Sequence, residues 1–237
     1  GADRTLGDFD KVYGWRSSSV LLVGRGPDNM SLDIGTGTQL PLGGKLQGRR
    51  WYSAANDEFF AAARSENTPV GLLAISAKTG EQRTLATIDG LHELRPARDG
   101  VLIAYGKKGA DGRSELRVMD RLGQGDRLLL NEGSDLNPEA WSPDGRFLLY
   151  FDKNENNSLR MHDDANGRAW PLLTTPDQPG FWYGDASWSP DGTFLVLGGE
   201  APWKAPVGKV FEGLTYDAIT RGIGGASSPI SITWSSR

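Results

Sequence analysis

The pentapeptide Trp-Ser-Pro-Asp-Gly occupies residues 141–145 and recurs unchanged at residues 188–192. Each copy runs into a short apolar stretch: AWSPDGRFLLYF from Ala140 and SWSPDGTFLVLGG from Ser187. Pro143 and Pro190 have φ fixed for the second position of a β-turn, and each pushes the serine before it into an extended shape. Gly145 and Gly192 supply the positive φ that closes the turn, and Asp144 and Asp191 favour it by local hydrogen bonding. Trp141 and Trp188 therefore end one strand, and the Phe-Leu pair begins the next.

Weaker copies lie upstream: GWRSSSVLLVG from Gly14, WYSAANDEFFAAA from Trp51 and LRPARDGVLIAYG from Leu94. After each of the five copies a further strand runs into a glycine-containing turn, as in LLAISAKTGEQRTL and ELRVMDRLGQGDRLLL, and Leu73, Leu116 and Leu159 stand 43 residues apart. Each unit reads as four short strands joined by turns, and no segment has the 3.6-residue period of an amphipathic helix. Four meandering strands per unit of this length predict an all-β chain, a β-propeller of four-stranded antiparallel blades.

The sequence WSPDG-(R/T)-F-L, followed by LRVMDRLGQGDRLLL or LRMHDDANGRAWPLLT, resembles the TolB-like propeller repeat, a WD-type repeat of bacterial envelope and extracellular proteins. The resemblance is specific over residues 94–234 and weaker in the first two units. It implies a binding or scaffolding module for a protein or peptide, placed in the periplasm or secreted. It also leaves open an enzyme or accessory role, since related propellers gate peptidases and house glycosidases.

The expected organisation is a single propeller with five blades over residues 10–44, 45–88, 89–134, 135–180 and 181–237, six being the alternative count. Residues 2–7, ADRTLG, resemble the outer strand EQRTLA and are expected to pair with the last blade, where PISITW at 229–234 also reads as a strand. Such pairing would remove a free sheet edge.

Composition narrows the function. The formal charge is −4 and the basic residues are scattered, so there is no footprint for a phosphate backbone and nucleic acid is not an expected partner. No apolar run approaches the roughly 18 residues of a membrane span, so membrane insertion is not expected either. The absence of cysteine excludes disulfides, thiolate catalysis and Cys-ligated zinc. His92 and His162 are the two histidines, and neither has a partner at metal-ligand spacing. DDANG at 163–167 lacks the spaced ligands of an EF-hand loop, and GASSP at 225–229 fails as a nucleophile elbow. No cofactor, metal or catalytic residue is expected, and the chain is expected to be a monomer.

Subtracting the repeat leaves two stretches, where binding residues concentrate in repeat proteins. TTPDQPGFWYGDASW at 174–188 carries Phe181, Trp182 and Tyr183, and EAPWKAPVGKVFEG at 200–213 carries Trp203 and Lys204. These five residues are the candidate binding set, for a protein or peptide first and for a sugar or small molecule as the alternative. Capping of a blade explains the same aromatics without a ligand. A glycosidase would need two converging carboxylates, for which Asp135 and Asp185 are the candidates. Trp141, Pro143, Asp144, Gly145, Trp188, Pro190, Asp191 and Gly192 are assigned to the structural repeat.

Overall fold

A computed structural model describes residues 7–25, 28–42, 50–65, 68–132, 135–153, 158–173, 186–189, 192–197 and 203–206. The described residues form strands and turns without helix. The chain divides into two compact units, the first ending at Asp89 and the second beginning at Gly90.

The first unit holds two sheets. One comprises β1 (Lys11–Trp15), β2 (Val20–Arg25), β3 (Asp28–Asp33) and β4 (Gln39–Pro41); the other comprises β5 (Arg50–Ser53), β6 (Glu58–Ser65), β7 (Thr68–Ser76) and β8 (Gln82–Ile88). The second unit begins with β9 (Leu91–Pro96), β10 (Leu102–Lys108), β11 (Ser114–Asp120) and β12 (Arg127–Glu132). A further sheet follows in β13 (Leu136–Trp141), β14 (Phe147–Asp152), β15 (Ser158–Asp163) and β16 (Arg168–Leu173). A three-stranded sheet of β17 (Ala186–Trp188), β18 (Phe194–Leu197) and β19 (Trp203–Pro206) ends the described part. Strands in every sheet follow chain order and pair antiparallel with their neighbours, the meander that the repeat predicts.

The two turns of the repeat unit show why it repeats. Between β13 and β14, the Gly145 N–H donates to the Ser142 carbonyl at 2.9 Å, with Gly145 at φ 72°. The Ser142 hydroxyl donates to Asp144 at 2.5 Å, and the Phe147 N–H donates back to that hydroxyl at 2.8 Å. In the second sheet the left-handed position falls on Asp57, at φ 52°. Its carboxylate accepts from the Tyr52 hydroxyl at 2.8 Å and pairs with Arg16 of the preceding sheet. These contacts tie down a conformation that a non-glycine residue adopts at a cost.

The hairpin between the third and fourth strands is capped at equivalent positions by Asp33, Ser76, Asp120 and Asp163, spaced 43 or 44 residues apart. Each side chain accepts a backbone N–H of its own turn, from Thr36, Thr79, Leu122 and Ala165 respectively. Asp and Ser suit this place because a short acceptor can close the turn locally.

Packing follows the two-residue alternation of strands. Leu148 and Tyr150 of β14 face the core shared with β9–β12, around Ala104, Leu116, Val118 and Trp141. Leu149 and Phe151 face the opposite core, with Leu159, Met161, Leu195 and the partly buried Trp188. One sheet thus serves two cores, and burial on both faces is what lets a thin four-stranded sheet persist in water. Trp141 is 6% exposed, whereas Trp15 at the equivalent place in the first sheet is 38% exposed. In the first unit, Leu22, Phe59, Ala61 and Ile75 form the core between the sheets.

Candidate functional site

Strands β9, β13 and β17, the first of each sheet in the second unit, lie side by side. Their polar side chains form one connected cluster. The Arg95 guanidinium donates to Glu93 Oε1 at 2.6 Å and to Glu139 Oε2 at 3.1 Å, while its Nε donates to the Glu139 carbonyl at 2.7 Å. Glu139 Oε1 accepts the Ala186 N–H at 3.2 Å, which carries the chain of contacts onto β17. The Trp141 indole N–H donates to the Arg95 carbonyl at 3.2 Å, so apolar and polar contacts close over the same junction.

A register shift produces this geometry. In β13, Pro138 opposes Tyr150 and Ala140 opposes Leu149, leaving Glu139 as the extra residue of a bulge. Bulges re-aim side chains and are common beside functional sites. The same device recurs in β9, where His92 is the extra residue and its Nε2 lies 3.1 Å from the Leu136 carbonyl of β13. It recurs again in the first unit, where Tyr13 is extruded from β1 and its hydroxyl accepts from Arg50 Nε of β5 at 2.5 Å. In all three cases the bulged residue reaches the first strand of the following sheet.

Glu93 and Glu139 both lie within hydrogen-bonding reach of one guanidinium, and the side chains are largely buried. This arrangement gives the two carboxylates one shared cation and links three strands. Asn137 Nδ2, on β13, is buried without a hydrogen-bond partner. Asp135, a candidate from the sequence, pairs with Lys153 at 3.7 Å and remains 43% exposed. Asp185 lies outside the described residues.

Elsewhere, the Asp163 carboxylate is occupied structurally. Asp163 accepts both Arg146 Nε at 3.0 Å and its terminal nitrogen at 2.7 Å, together with Ala165 N–H and Asn166 Nδ2. The Arg146 hydrogen bonds hold the Asp163 carboxyl below the usual carboxylate range. DDANG is thus a turn cap with its first carboxylate already occupied. His162 is buried, its Nδ1 has no partner, and burial lowers its pKa. Among the described residues, no group of three or more His, Asp or Glu side chains is placed to hold a metal ion.

Of the candidate binding set, Phe181, Trp182 and Tyr183 lie outside the described residues, as do Pro190 and Asp191. Trp203 and Lys204 lie on β19, opposite Leu197 and Val196 of β18. The structure therefore brings together Glu93, Arg95 and Glu139, which sequence reasoning passed over. The available signal was a charged residue two places before the repeat tryptophan, in a strand that otherwise reads as core.

Serial four-stranded antiparallel meanders of this kind define a β-propeller, and solved structures make the fold TolB-like. A structure assigned to TolB of Agrobacterium tumefaciens matches over 80% of this chain and 69% of its own, at 15% identity and a TM-score of 0.63. TolB of Acinetobacter baumannii matches over 86% of this chain and 50% of its own, at 14% identity and a TM-score of 0.59. An oligogalacturonate lyase in complex with manganese matches over 86% of this chain and 62% of its own, at 16% identity and a TM-score of 0.62. The chain thus spans half the length of one TolB and less than two thirds of the lyase. At such identities the likeness is one of fold. No protein-family model and no curated protein matches the chain. Among the described residues, no helix is long and apolar enough to cross a membrane.

Proposed function

We propose that this chain is a non-catalytic binding or scaffolding propeller that holds a protein or peptide segment in the bacterial envelope. The observation that carries the reading is the sharing of Arg95 by Glu93 and Glu139. Carboxylates arranged for glycoside chemistry need one acid that carries a proton and one base open to substrate or water. Among the described residues, Glu93 and Glu139 share a cation and brace neighbouring strands. The TolB structures among the fold's neighbours support a protein partner and a periplasmic setting.

The proposed contact residues are Phe181, Trp182, Tyr183, Trp203 and Lys204, in the stretches that interrupt the repeat. Tryptophan and tyrosine suit such a role because they offer large contact area with few torsions to freeze. The proposed organisation remains one five-bladed propeller and a monomer. Affinity capture from envelope extract, with the wild type and a Trp182→Ala, Trp203→Ala double variant, tests the assignment. Loss of a specific captured partner in the variant is expected, and identical partner profiles would remove these residues from the site.

A carbohydrate-active role is the second reading, favoured by the lyase among the fold's neighbours. It would require metal ligands or catalytic groups beyond those that the described residues bring together.

A further inference from the structure

The hairpin joining β15 to β16 contains Asn166-Gly167, the sole Asn-Gly dipeptide of the chain. Asn166 is exposed, and a side chain at residue 167 would meet nothing within 4 Å. Gly167, at φ 68°, has no Cβ to hinder an approach of its backbone nitrogen to the neighbouring side-chain amide. This is the arrangement in which an asparagine converts spontaneously to aspartate or isoaspartate.

In that reaction the Gly167 nitrogen loses its proton to base and attacks Asn166 Cγ. The C–N bond to the side-chain amide then breaks, releasing ammonia and leaving a cyclic imide. Water opens the imide at either carbonyl, so one water is consumed and one ammonia released, with no change of oxidation state.

The turn opposes each part of this sequence. The Gly167 N–H donates to the Asp163 carbonyl at 2.9 Å, which keeps the nucleophile protonated and turned away. Asn166 Nδ2 donates to Asp163 Oδ2 at 2.8 Å, and Asn166 Oδ1 accepts the Arg168 N–H at 3.0 Å, so the amide is held at both ends. Asp163 is itself fixed by the two hydrogen bonds from Arg146.

We propose that Asn166 is a site of non-enzymatic deamidation, that the intact hairpin protects it, and that Arg146 supports the protection through Asp163. The product would place a carboxylate where an amide donor now meets Asp163. It would compete for Arg146 and loosen the turn, so a chain once opened at this hairpin would be marked chemically and weakened there.

Trypsin releases residues 161–168, MHDDANGR, between Arg160 and Arg168, which makes the site readable by mass spectrometry. The folded chain, the chain in urea and the synthetic peptide MHDDANGR are incubated in mildly alkaline, oxygen-isotope-labelled water. Label at residue 166 is expected at peptide-like rates in urea and severalfold more slowly in the folded chain, with folded Arg146→Met faster than folded wild type. Equal rates in the folded and unfolded chains, no label in the unfolded chain, or an Arg146→Met rate equal to wild type would overturn the proposal. Should Arg146→Met fail to fold, the melting temperature of Asn166→Asp decides: a lower value is expected, and one at or above wild type would overturn it.

Discussion

Arg95 on β9 donates two hydrogen bonds to Glu139 on β13, one to the carboxylate at 3.1 Å and one to the main-chain carbonyl at 2.7 Å. A salt bridge between these two sheets is therefore also a backbone clamp. Arg95→Met leaves Glu93 and Glu139 without their shared cation and should cost about 3–5 kcal/mol, the range for breaking a buried pair by removing one partner. Glu139→Gln should cost less, because the amide oxygen still accepts from Ala186 or Arg95. Urea denaturation of both variants and the double variant measures the coupling, and additive effects would show that the contact has no energetic weight.

Close approach between the same two sheets makes a second test. A methyl group at Gly106 would stand 2.3 Å from the Leu136 carbonyl and 2.6 Å from His92 Nε2. The backbone oxygen cannot rotate aside, so Gly106→Ala should destabilise by roughly 1–3 kcal/mol through overpacking. A melting temperature unchanged by the substitution would show that the sheets can separate locally.

Tyr105 and Tyr150 occupy equivalent places and each pairs with an arginine network. The Tyr105 hydroxyl donates to Asp126 at 2.7 Å, and Asp126 in turn accepts from Arg117 at 3.0 and 3.1 Å. Tyr150 accepts directly from Arg160 at 3.0 Å. Counted from the turn caps, the second sheet has Ala61 and Leu73 at these positions and so lacks both partners. Tyr105→Phe should cost about 1 kcal/mol. The double variant Tyr105→Phe, Arg117→Ala should cost less than the sum of its single variants, as expected for residues in one network.

Acid should weaken the fold in two stages. His162 is held neutral by burial, with its pKa lowered from 6.5, so below pH 6.5 the unfolded chain binds more protons than the folded one. Stability is then fully present above pH 6.5 and falls as pH drops below it. Asp163, held low by the Arg146 hydrogen bonds, and Asp144, held low by the Ser142 hydroxyl, have the same sign of effect. Their contribution is present above their unfolded value of 3.8 and lost as pH falls below it. Melting curves from pH 7 to pH 5 should show a decline in wild type that is reduced in His162→Leu, and parallel declines would dismiss His162 as the cause.

The meander was legible because its signals are local. Pro143 and Gly145 set a turn whatever surrounds them, and the caps at Asp120 and Asp163 bond within their own hairpins. The cluster at Arg95 was not legible, since its partners are 44 residues apart and meet only when two sheets pack. The bulge at Glu139 was hidden for a related reason. An extra residue in a strand leaves the apolar pattern almost unchanged, yet it redirects one side chain to the next sheet. The aromatic insertions stand out as departures from the repeat, but the geometry of Phe181, Trp182 and Tyr183 is not fixed by that contrast.

The central claim is that the acids on the first strands brace the sheets and do not turn over substrate. The most direct test is to incubate the chain with oligogalacturonate, with and without manganese, and to follow the ultraviolet absorbance of unsaturated product for wild type and Glu139→Gln. No product from either protein is predicted, together with a lower melting temperature for Glu139→Gln. Sustained turnover by wild type that Glu139→Gln abolishes while remaining folded would contradict the account.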